Sequence, residues 1–366
     1  MITFFLPLIL IIYCITIVWI IYGFAKIDSS EIVRLKPINR FTIIVPFRNE
    51  AANLPLLLES FSKLNYPMEL FEVILVDDDS EEVFNIQPSV FSVRTIKNKR
   101  VTNSPKKDAI TTAIQYVNSV WIITTDADCV VPVNWLLTLD NYIQNHNVSL
   151  IAGAVTYDCK NTFLHHFQQL DLASLQGATI GSFGIGKGFM CNGANLAYTK
   201  SLFKELNGFD GNASIASGDD VFLLQKAIES FPDRVHYLKS KNNIVVTKPV
   251  NSWAALFHQR VRWASKTTSY QSNFGKTLGL IVFAGNLSIV MGFGLCVLGL
   301  FSWLTIVSIV LLKFVVDVVL IHKSHSFLTT TRMRYLVLSS LFYPFFSMSA
   351  ALYSLFGKYE WKGRKF

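Results

Sequence analysis

The sequence predicts an α/β domain built on a mainly parallel sheet and set between apolar segments long enough to cross a membrane. Three observations carry that prediction. Between Phe41 and Thr125, apolar runs of strand length alternate with amphipathic helical stretches, the pattern of parallel strands joined by crossover helices. Only 16% of the 366 residues are charged, against roughly 25% in a soluble domain. Three wholly uncharged runs, 1–25, 277–312 and 335–357, flank the polar middle of the chain.

The run Ile2 to Phe24 has the length of a helix crossing a hydrocarbon core, which takes about 20 residues. It lacks the basic start, short apolar stretch and small-residue cleavage site of a secretory signal, and reads as a retained anchor over residues 1–25. Lys26, Arg34, Lys36 and Arg40 follow it and no charge precedes it. Positive-inside bias therefore predicts an outside N-terminus, a cytoplasmic polar domain and a multi-pass protein of the cell membrane. Beyond the polar domain, residues 277–321 are interrupted only by Lys313 and Asp317 and suit a two-helix hairpin turning near Gly299 to Trp303. Lys313 and Asp317 are spaced to pair as an intramembrane salt bridge or to mark a lipid-acceptor path. Residues 335–357 have Arg332 and Arg334 before them and Lys358 after them. Either Pro344 bends this segment into a re-entrant or interfacial helix, or the segment spans and leaves the basic tail 358–366 outside.

Net charge is +8, and residues 277–366 hold eight basic against two acidic residues, so +6 of it flanks apolar runs. A nucleic-acid-binding face would place the excess on the polar domain, which argues against nucleic acid as a partner. The five cysteines, at 14, 129, 159, 191 and 296, form no CxxC pair. They indicate neither a disulfide nor a zinc framework and read as buried thiols in a reducing compartment.

Within the polar domain, Phe41 to Pro46 reads as a first strand, Ala51 to Leu64 as a helix, Phe71 to Asp77 as a second strand and Phe91 to Ile96 as a third. Ser104 is placed to cap a helix with Pro105 in its first turn and an end near Val117. Val120 to Thr125 follows as a buried strand. Asp77-Asp78-Asp79 and Asp126-Ala127-Asp128 therefore end strands. Ligands of open α/β sheets bind beyond the carboxyl ends of the strands, so Asp77, Asp78, Asp126 and Asp128 are expected on one rim. The glycine-rich stretch Gly181 to Gly193 matches neither a phosphate loop nor GxGxxG, and reads as a mobile segment near a ligand.

The chemistry of these residues has bland and functional readings side by side. Asp126 and Asp128 offer hard oxygen ligands to Mg²⁺ or Mn²⁺, or merely cap a turn. Asp77 to Asp79 fit Asx hydrogen bonds in a strand-ending turn equally well. Gly218-Asp219-Asp220 opens a helical stretch, where a carboxylate complements the macrodipole or serves as a base toward an acceptor hydroxyl. Gln259-Arg260-Val261-Arg262-Trp263 lies on an aromatic and basic helix over 252–266, an interfacial belt or a phosphate fork beside a sugar-binding ring. His165-His166 places one histidine on the surface and one partly buried, since neighbours face different sides of a helix.

The ordered set Val-Pro-Phe-Arg-Asn-Glu (45–50), Val-Asp-Asp-Asp-Ser (76–80), Asp-Ala-Asp (126–128), Gly-Asp-Asp (218–220) and Gln-x-x-Arg-Trp (259–263) resembles the family 2 glycosyltransferases. The resemblance covers about residues 38–270 and is shared with the membrane-attached cellulose, hyaluronan and ceramide-glucose transferases. It implies a GT-A fold, a nucleotide-sugar donor, above all a UDP-sugar, with Mg²⁺ or Mn²⁺, and inversion at the anomeric carbon. Acceptors would be lipid, lipid-linked or glycan hydroxyls. By position, Pro46, Arg48, Glu50, Asp77 and Asp78 would hold the donor, with Lys106 or Lys107 facing its diphosphate. Asp126 and Asp128 would carry the metal, and Asp219 or Asp220 would be the catalytic base, helix entry favouring Asp219. Asn192, Asn195, Gln259, Arg262 and Trp263 would serve the acceptor and the leaving diphosphate. Two departures stand out: Asp79 replaces the usual glycine of Asp-Asp-Gly-Ser, and Gly-Asp-Asp replaces the usual Glu-Asp. Rival readings are a metal-dependent nucleotidyl or phosphosugar transferase and a non-catalytic membrane scaffold with a relict domain.

Overall fold

The computed structural model describes residues 2–30, 35–82, 84–85, 89–212, 215, 217–357, 360–361 and 364–365. Arg34, Lys358 and Lys362 of the flanking charges lie outside the described residues. The chain forms two compact units that interleave in sequence: residues 28–158 with 190–248, and residues 1–27 with 159–189 and 249–366.

The first, polar unit is an α/β fold. Its strands are β1 (Phe41–Phe47), β2 (Phe71–Asp77), β3 (Ser92–Lys97), β4 (Trp121–Thr124), β5 (Leu150–Gly153), β6 (Val155–Tyr157), β7 (Leu196–Thr199), β8 (Val235–Leu238) and β9 (Val245–Thr247). Its helices are α2 (Leu54–Ser62), α3 (Pro105–Ile114), α4 (Trp135–Asn145), α6 (Lys200–Glu205) and α7 (Asp219–Ser230). Helices α1 and α5 belong to the other unit. Seven strands make one sheet in the order β3-β2-β1-β4-β7-β5-β8, parallel except for β7, which runs antiparallel between β4 and β5. The expected α/β architecture and mainly parallel sheet are thus observed. A separate pair, β6 and β9, is parallel.

Strands β1 and β2 read as continuous apolar runs because both their faces are covered, as in other central parallel strands. On one face α2 supplies Leu54, Leu57 and Phe61 and α4 supplies Trp135, Leu136 and Leu139 to a core shared with Ile43, Val45, Val73 and Leu75. Phe61 and Trp135 stack at 6.3 Å. Each such side chain contributes about 1.5–3 kcal/mol by leaving water. Registers Phe47↔Asp77 and Ile44↔Thr124 bring the chain off β1, β2 and β4 at a common edge. There the ladder continues one step, from Asp78 N–H to Phe47 O at 2.8 Å and from Thr125 N–H to Ile44 O at 3.3 Å. Since β1 lies between β2 and β4, this edge is a topological switch point, where open α/β sheets bind ligands.

The second unit is helical: α1 (Ile2–Lys26), α5 (Phe163–Gly184), α8 (Trp253–Ser265), α9 (Asn273–Val297), α10 (Trp303–Leu328) and α11 (Leu336–Phe356), followed by the two-residue strands β10 (Glu360–Trp361) and β11 (Arg364–Lys365). Four of its helices, α1, α9, α10 and α11, are long and apolar enough to cross a membrane. Gly299 (φ 69°) makes the turn between α9 and α10, inside the expected hairpin. Pro344 sits within one continuous helix rather than between two halves, so it does not break the 335–357 segment. Lys313 does pair with Asp317, at 2.5 Å, and the Tyr13 hydroxyl donates to the same carboxylate at 2.6 Å.

Packing explains the first glycines of the glycine-rich stretch, whereas Gly186 (φ 68°) makes a turn. Gly181 and Gly184 are helical residues of α5, and a Cβ at Gly23 of α1 would lie 2.1 Å from the Gly181 carbonyl. Small residues here let two helix backbones touch. The expectation of a single mobile segment from Gly181 to Gly193 therefore fails for its first four residues, which belong to α5.

Candidate active site

At the carboxyl ends of β1 and β2, backbone geometry organises the acidic run. Asp77 Oδ1 accepts the Ser80 N–H at 3.0 Å, an Asx turn that carries Asp79 through φ 63°. Asp78 is buried, and its Oδ1 accepts from Asn98 Nδ2 at 2.6 Å and lies 3.4 Å from Arg100. The Arg48 guanidinium donates to the carbonyls of Asp78 and Asp79 at 3.1 and 2.8 Å. Glu50 accepts from Asn53 Nδ2 at 2.5 Å, just before α2, and Pro46 is the next-to-last residue of β1.

The start of α3 joins this rim to the second acidic cluster. Asn98 Nδ2 also donates to Pro105 O at 3.1 Å, and the Asp108 carboxylate takes the N–H groups of Val101 and Thr102, each at 2.9 Å. The approach to α3 is thereby fixed, and with it Lys106. Lys106 Nζ lies 2.7 Å from Asp126 Oδ1 and 3.4 Å from Asp219 Oδ2. Burial by itself would lower the pKa of this ammonium, but Asp126, Asp219 and Asp220 outweigh it and push the pKa well above the ordinary lysine value. Lys106 therefore keeps its charge throughout the neutral range. Lys107 is turned elsewhere. Its buried ammonium donates to the carbonyls of Asn212 and Ile215 at 2.7 and 3.0 Å and lies over the Phe222 ring. Of the two lysines expected to face a diphosphate, Lys107 is thus enclosed by backbone oxygens, because its place on α3 points toward the segment before α7.

Asp126 and Asp128 stand on one turn after β4, closed by the Cys129 N–H to Asp126 O bond at 3.2 Å. The Asp126 side chain is 42% exposed. The Cys129 thiol lies 3.8 Å from Asp128 Oδ1, and burial, then Asp128 and Asp126, push its pKa up, so it stays protonated. Two carboxylates without a nitrogen or thiolate ligand suit a hard cation that takes its other oxygens from phosphates and water. Asp126 already accepts a cation, the Lys106 ammonium. Among the described residues no group of three or more His, Cys, Asp or Glu side chains forms a closed metal centre.

Asp219 and Asp220 occupy the first turn of α7, where negative charge meets the positive end of the helix dipole. Gly218 before them has φ 87°, a conformation that excludes a side-chain residue without strain. The Asp219 side chain is 10% exposed. Asp220 Oδ2 accepts the Gly193 N–H at 2.9 Å, while the Gly193 carbonyl accepts the Thr124 hydroxyl at 2.8 Å. Gly193 is thus pinned against the cluster. A Cβ there would lie 3.0 Å from Asp219 Oδ2 and 3.0 Å from Lys106 Nζ. Sequence reading gave Gly193 no role beyond closing the glycine-rich stretch; its neighbours in Cys-Asn-Gly-Ala-Asn drew attention instead.

Those neighbours separate. Asn192 is half-buried, and its carbonyl accepts the Asn195 N–H at 3.0 Å. Asn195 is buried in the fold and is not presented to a ligand: Nδ2 donates to Ala154 O and Asn243 O at 2.8 and 2.6 Å, and Oδ1 accepts from the Trp135 indole at 3.1 Å. It ties α4, β7 and the segment before β9 together, which corrects the expectation that it touches a sugar.

With this geometry in view, the family described as glycosyl transferase family 2 matches residues 42–206. That segment is a family 2 glycosyltransferase domain. It contains β1 to β7 and the Lys106 and Asp126 side of the cluster, while Asp219 and Asp220 follow it. Among solved structures, the mannosyltransferase PcManGT from Pyrobaculum calidifontis, in complex with GDP-Man and Mn²⁺, is similar over 96% of this chain and 99% of its own, at 15% identity and a TM-score of 0.58. At that identity the likeness speaks to fold, and the fold of the glycosyltransferase domain is GT-A. Two further structures have lower TM-scores. TarS from S. aureus has 14% identity and a TM-score of 0.42, covering 86% of this chain and 55% of its own. The glucosyl-3-phosphoglycerate synthase from Mycobacterium tuberculosis has 15% identity and a TM-score of 0.40, covering 62% and 76%. No curated protein matches the sequence.

Outside the matched glycosyltransferase segment, α8 carries Gln259, Arg262 and Trp263 in the helical unit. Ser252 caps it, accepting the Ala255 N–H at 3.1 Å. Arg262 and Trp263 are half-buried. Between Gln259 and these two lies Arg260, buried, with its Nε 2.5 Å from Asp171 Oδ2 on α5. Neither Arg260 nor Asp171 was singled out from sequence, although Asp171 is the lone acidic residue of α5. The histidine pair is also corrected. His165 and His166 are both buried, facing Asn251 and Asn161 at 3.2 and 3.3 Å, because α5 is enclosed on several sides by its own unit.

Proposed function

We propose that the protein is a membrane-bound inverting glycosyltransferase that moves a sugar from a nucleoside-diphosphate donor to a hydroxyl of a lipid, lipid-linked or glycan acceptor. The observation that carries this reading is the cluster in which Lys106 and Asp126, inside the segment matched by the family 2 model and at the carboxyl edge of its parallel strands, meet Asp219 from the start of α7. The four apolar helices support membrane attachment, and the basic flanks support a cytoplasmic catalytic domain.

In the proposed reaction Asp219 takes the proton of the acceptor hydroxyl, the oxygen attacks the anomeric carbon, and the bond from that carbon to the diphosphate oxygen breaks with inversion. Pro46, Arg48, Glu50, Asp77 and Asp78 would border the nucleoside. Lys106, charged in the neutral range, would face the departing phosphates. Asp126 and Asp128 would hold Mg²⁺ or Mn²⁺, which supplies charge neutralisation on the diphosphate. By their match to the family motif, Arg262 would take part of the same charge and Trp263 would meet the acceptor, with Gln259 and Asn192 assisting. The Mn²⁺ and GDP-Man of the similar mannosyltransferase support including Mn²⁺ and GDP-sugars beside UDP-sugars in the test.

The test is nucleoside-diphosphate release by the full-length protein in detergent micelles, across a panel of UDP- and GDP-sugars, with and without EDTA. The wild type should release diphosphate with one donor and stop on chelation. Asp219→Asn and Asp128→Asn should each lose about 10²–10³-fold in turnover. Full transfer by both variants, or release of pyrophosphate or nucleoside monophosphate instead, overturns the reading.

A further inference from the structure

Arg260 stands at a variable position of the Gln-x-x-Arg-Trp motif, yet it contacts two of the motif's named members, Gln259 and Trp263. Its Nη1 donates to Gln259 Oε1, and its guanidinium carbon lies 4.1 Å from the Trp263 ring centroid. Its Nε is held by Asp171 Oδ2 at 2.5 Å, with only 8% and 5% of the two side chains exposed. The phenol of Tyr343, on α11, lies close enough to interact electrostatically with the same aspartate. Helical spacing explains the division of labour. Residues 260 and 263 are three apart and share a face, whereas 262 lies about 200° around the helix from 260.

We infer that Arg260, anchored by Asp171, is the positioning residue that sets the side-chain conformations of Gln259 and Trp263. A planar guanidinium is suited to this, because one group offers an edge to a carboxylate, an edge to an amide oxygen and a face to an indole at once. Lysine offers one point charge and cannot do all three. Anchoring matters as well, since the buried aspartate holds the Nε edge of the guanidinium. The consequence is that the orientation of two motif side chains depends on a contact between α5 and α8. The catalytic part of this inference rests on the proposed glycosyl transfer; the conformational part does not.

Removing one partner alone leaves a buried charge and risks a protein that does not fold. The informative variant is therefore Asp171→Leu with Arg260→Met, which keeps apolar volume and leaves no orphan charge. Full-length protein is compared with Trp263→Phe, so that the difference spectrum isolates Trp263 emission. The expected result is a folded double variant whose Trp263 component shifts in wavelength, and an unchanged component overturns the inference. With a donor identified, the double variant should lose at least tenfold in turnover. It should lose no more than a further twofold when Gln259→Ala and Trp263→Ala are added, because it acts through those residues. Losses that multiply independently overturn the inference too, as does full activity. Arg260→Lys, which retains the charge, should not rescue. Absence of diphosphate release from every donor by the wild type would count against the proposed function, and the Trp263 spectrum would still decide the inference.

Discussion

Gly193→Ala is the sharpest probe of the acidic cluster, because it adds one methyl group to a backbone that cannot retreat. The Gly193 N–H is held by Asp220 and its carbonyl by the Thr124 hydroxyl. The new Cβ would lie 3.0 Å from both Asp219 Oδ2 and Lys106 Nζ, where ordinary contact begins at 3.4 Å. Each group must therefore yield by about 0.4 Å, the difference of those two distances, widening a Lys106 to Asp219 gap that is already 3.4 Å. Overpacking typically costs about 1–3 kcal/mol, and flexible side-chain ends place this case near 1. The unfolding midpoint should fall by about 2–4 °C. Misplacement of about 1 Å near reacting groups costs about 100-fold, so turnover should fall about 10- to 100-fold. Diphosphate release and thermal unfolding of full-length protein measure both quantities. Gly279→Ala serves as the control, since its Cβ meets nothing and it lies in α9. Turnover within twofold of wild type, with the lower midpoint present, would refute the idea that the cluster's spacing governs the chemistry.

Asp79, at φ 63°, should be improved by glycine: Asp79→Gly is expected to unfold at higher temperature than Asp79→Ala by about 1–2 kcal/mol of relieved left-handed strain. The lost contact to Arg48, at 3.9 Å with Asp79 96% exposed, is worth about 0–1 kcal/mol. Lys313→Met alone should destabilise the helical unit by about 3–5 kcal/mol by leaving the Asp317 charge without its ammonium. Adding Asp317→Leu should recover most of that, as read by thermal unfolding in micelles. His236 supplies a pH signature. Burial, reinforced by His146 and opposed by the Asp233 carbonyl, lowers its pKa below the ordinary value of about 6.5. Between that value and its lower folded one the unfolded chain binds more protons, so stability there rises with pH and is lost as pH falls below about 6.5. His236→Gln should flatten this slope in unfolding curves taken from pH 7 downward.

Strands whose apolar runs are bounded by polar turns were legible in the sequence, and β2 has the residues expected of it, Phe71–Asp77. The helix expected over Ala51 to Leu64 is shorter, Leu54–Ser62, because the turn at 51–53 precedes Pro55. A helix was read at His165-His166, but the full extent of α5, Phe163–Gly184, was not, because it is enclosed nearly all round and has no single apolar stripe to give a helical period. Strand β7 returns antiparallel from a loop, which no local pattern announces. The acidic motifs could be placed at strand ends from sequence, since Asp78 and Asp126 directly follow β2 and the stretch after β4. Which lysine of Lys106-Lys107 meets them could not, because that depends on a 100° step around α3. The roles of Gly193, Asp171 and Arg260 were invisible for a related reason: each residue matters through partners distant in the chain.

The departure from the family pattern at Gly218-Asp219-Asp220 bears on the choice between Asp219 and Asp220. Gly218 is dictated by φ 87°, so the acidic pair available to match Glu-Asp is Asp219-Asp220, which by register alone would give Asp220 the place of the base. The surroundings favour the other residue. Asp220 uses Oδ2 to hold the Gly193 N–H and Oδ1 to take the Val221 N–H at 2.8 Å, so both oxygens serve the backbone. Asp219 instead directs Oδ2 toward the Lys106 ammonium that also contacts Asp126. Asp220→Asn keeps one oxygen for the Gly193 N–H and should retain at least a tenth of wild-type turnover, whereas Asp219→Asn should fall about 10²–10³-fold. The opposite ranking would make register the better guide and move the base to Asp220, with Asp219 left to hold Lys106 in place.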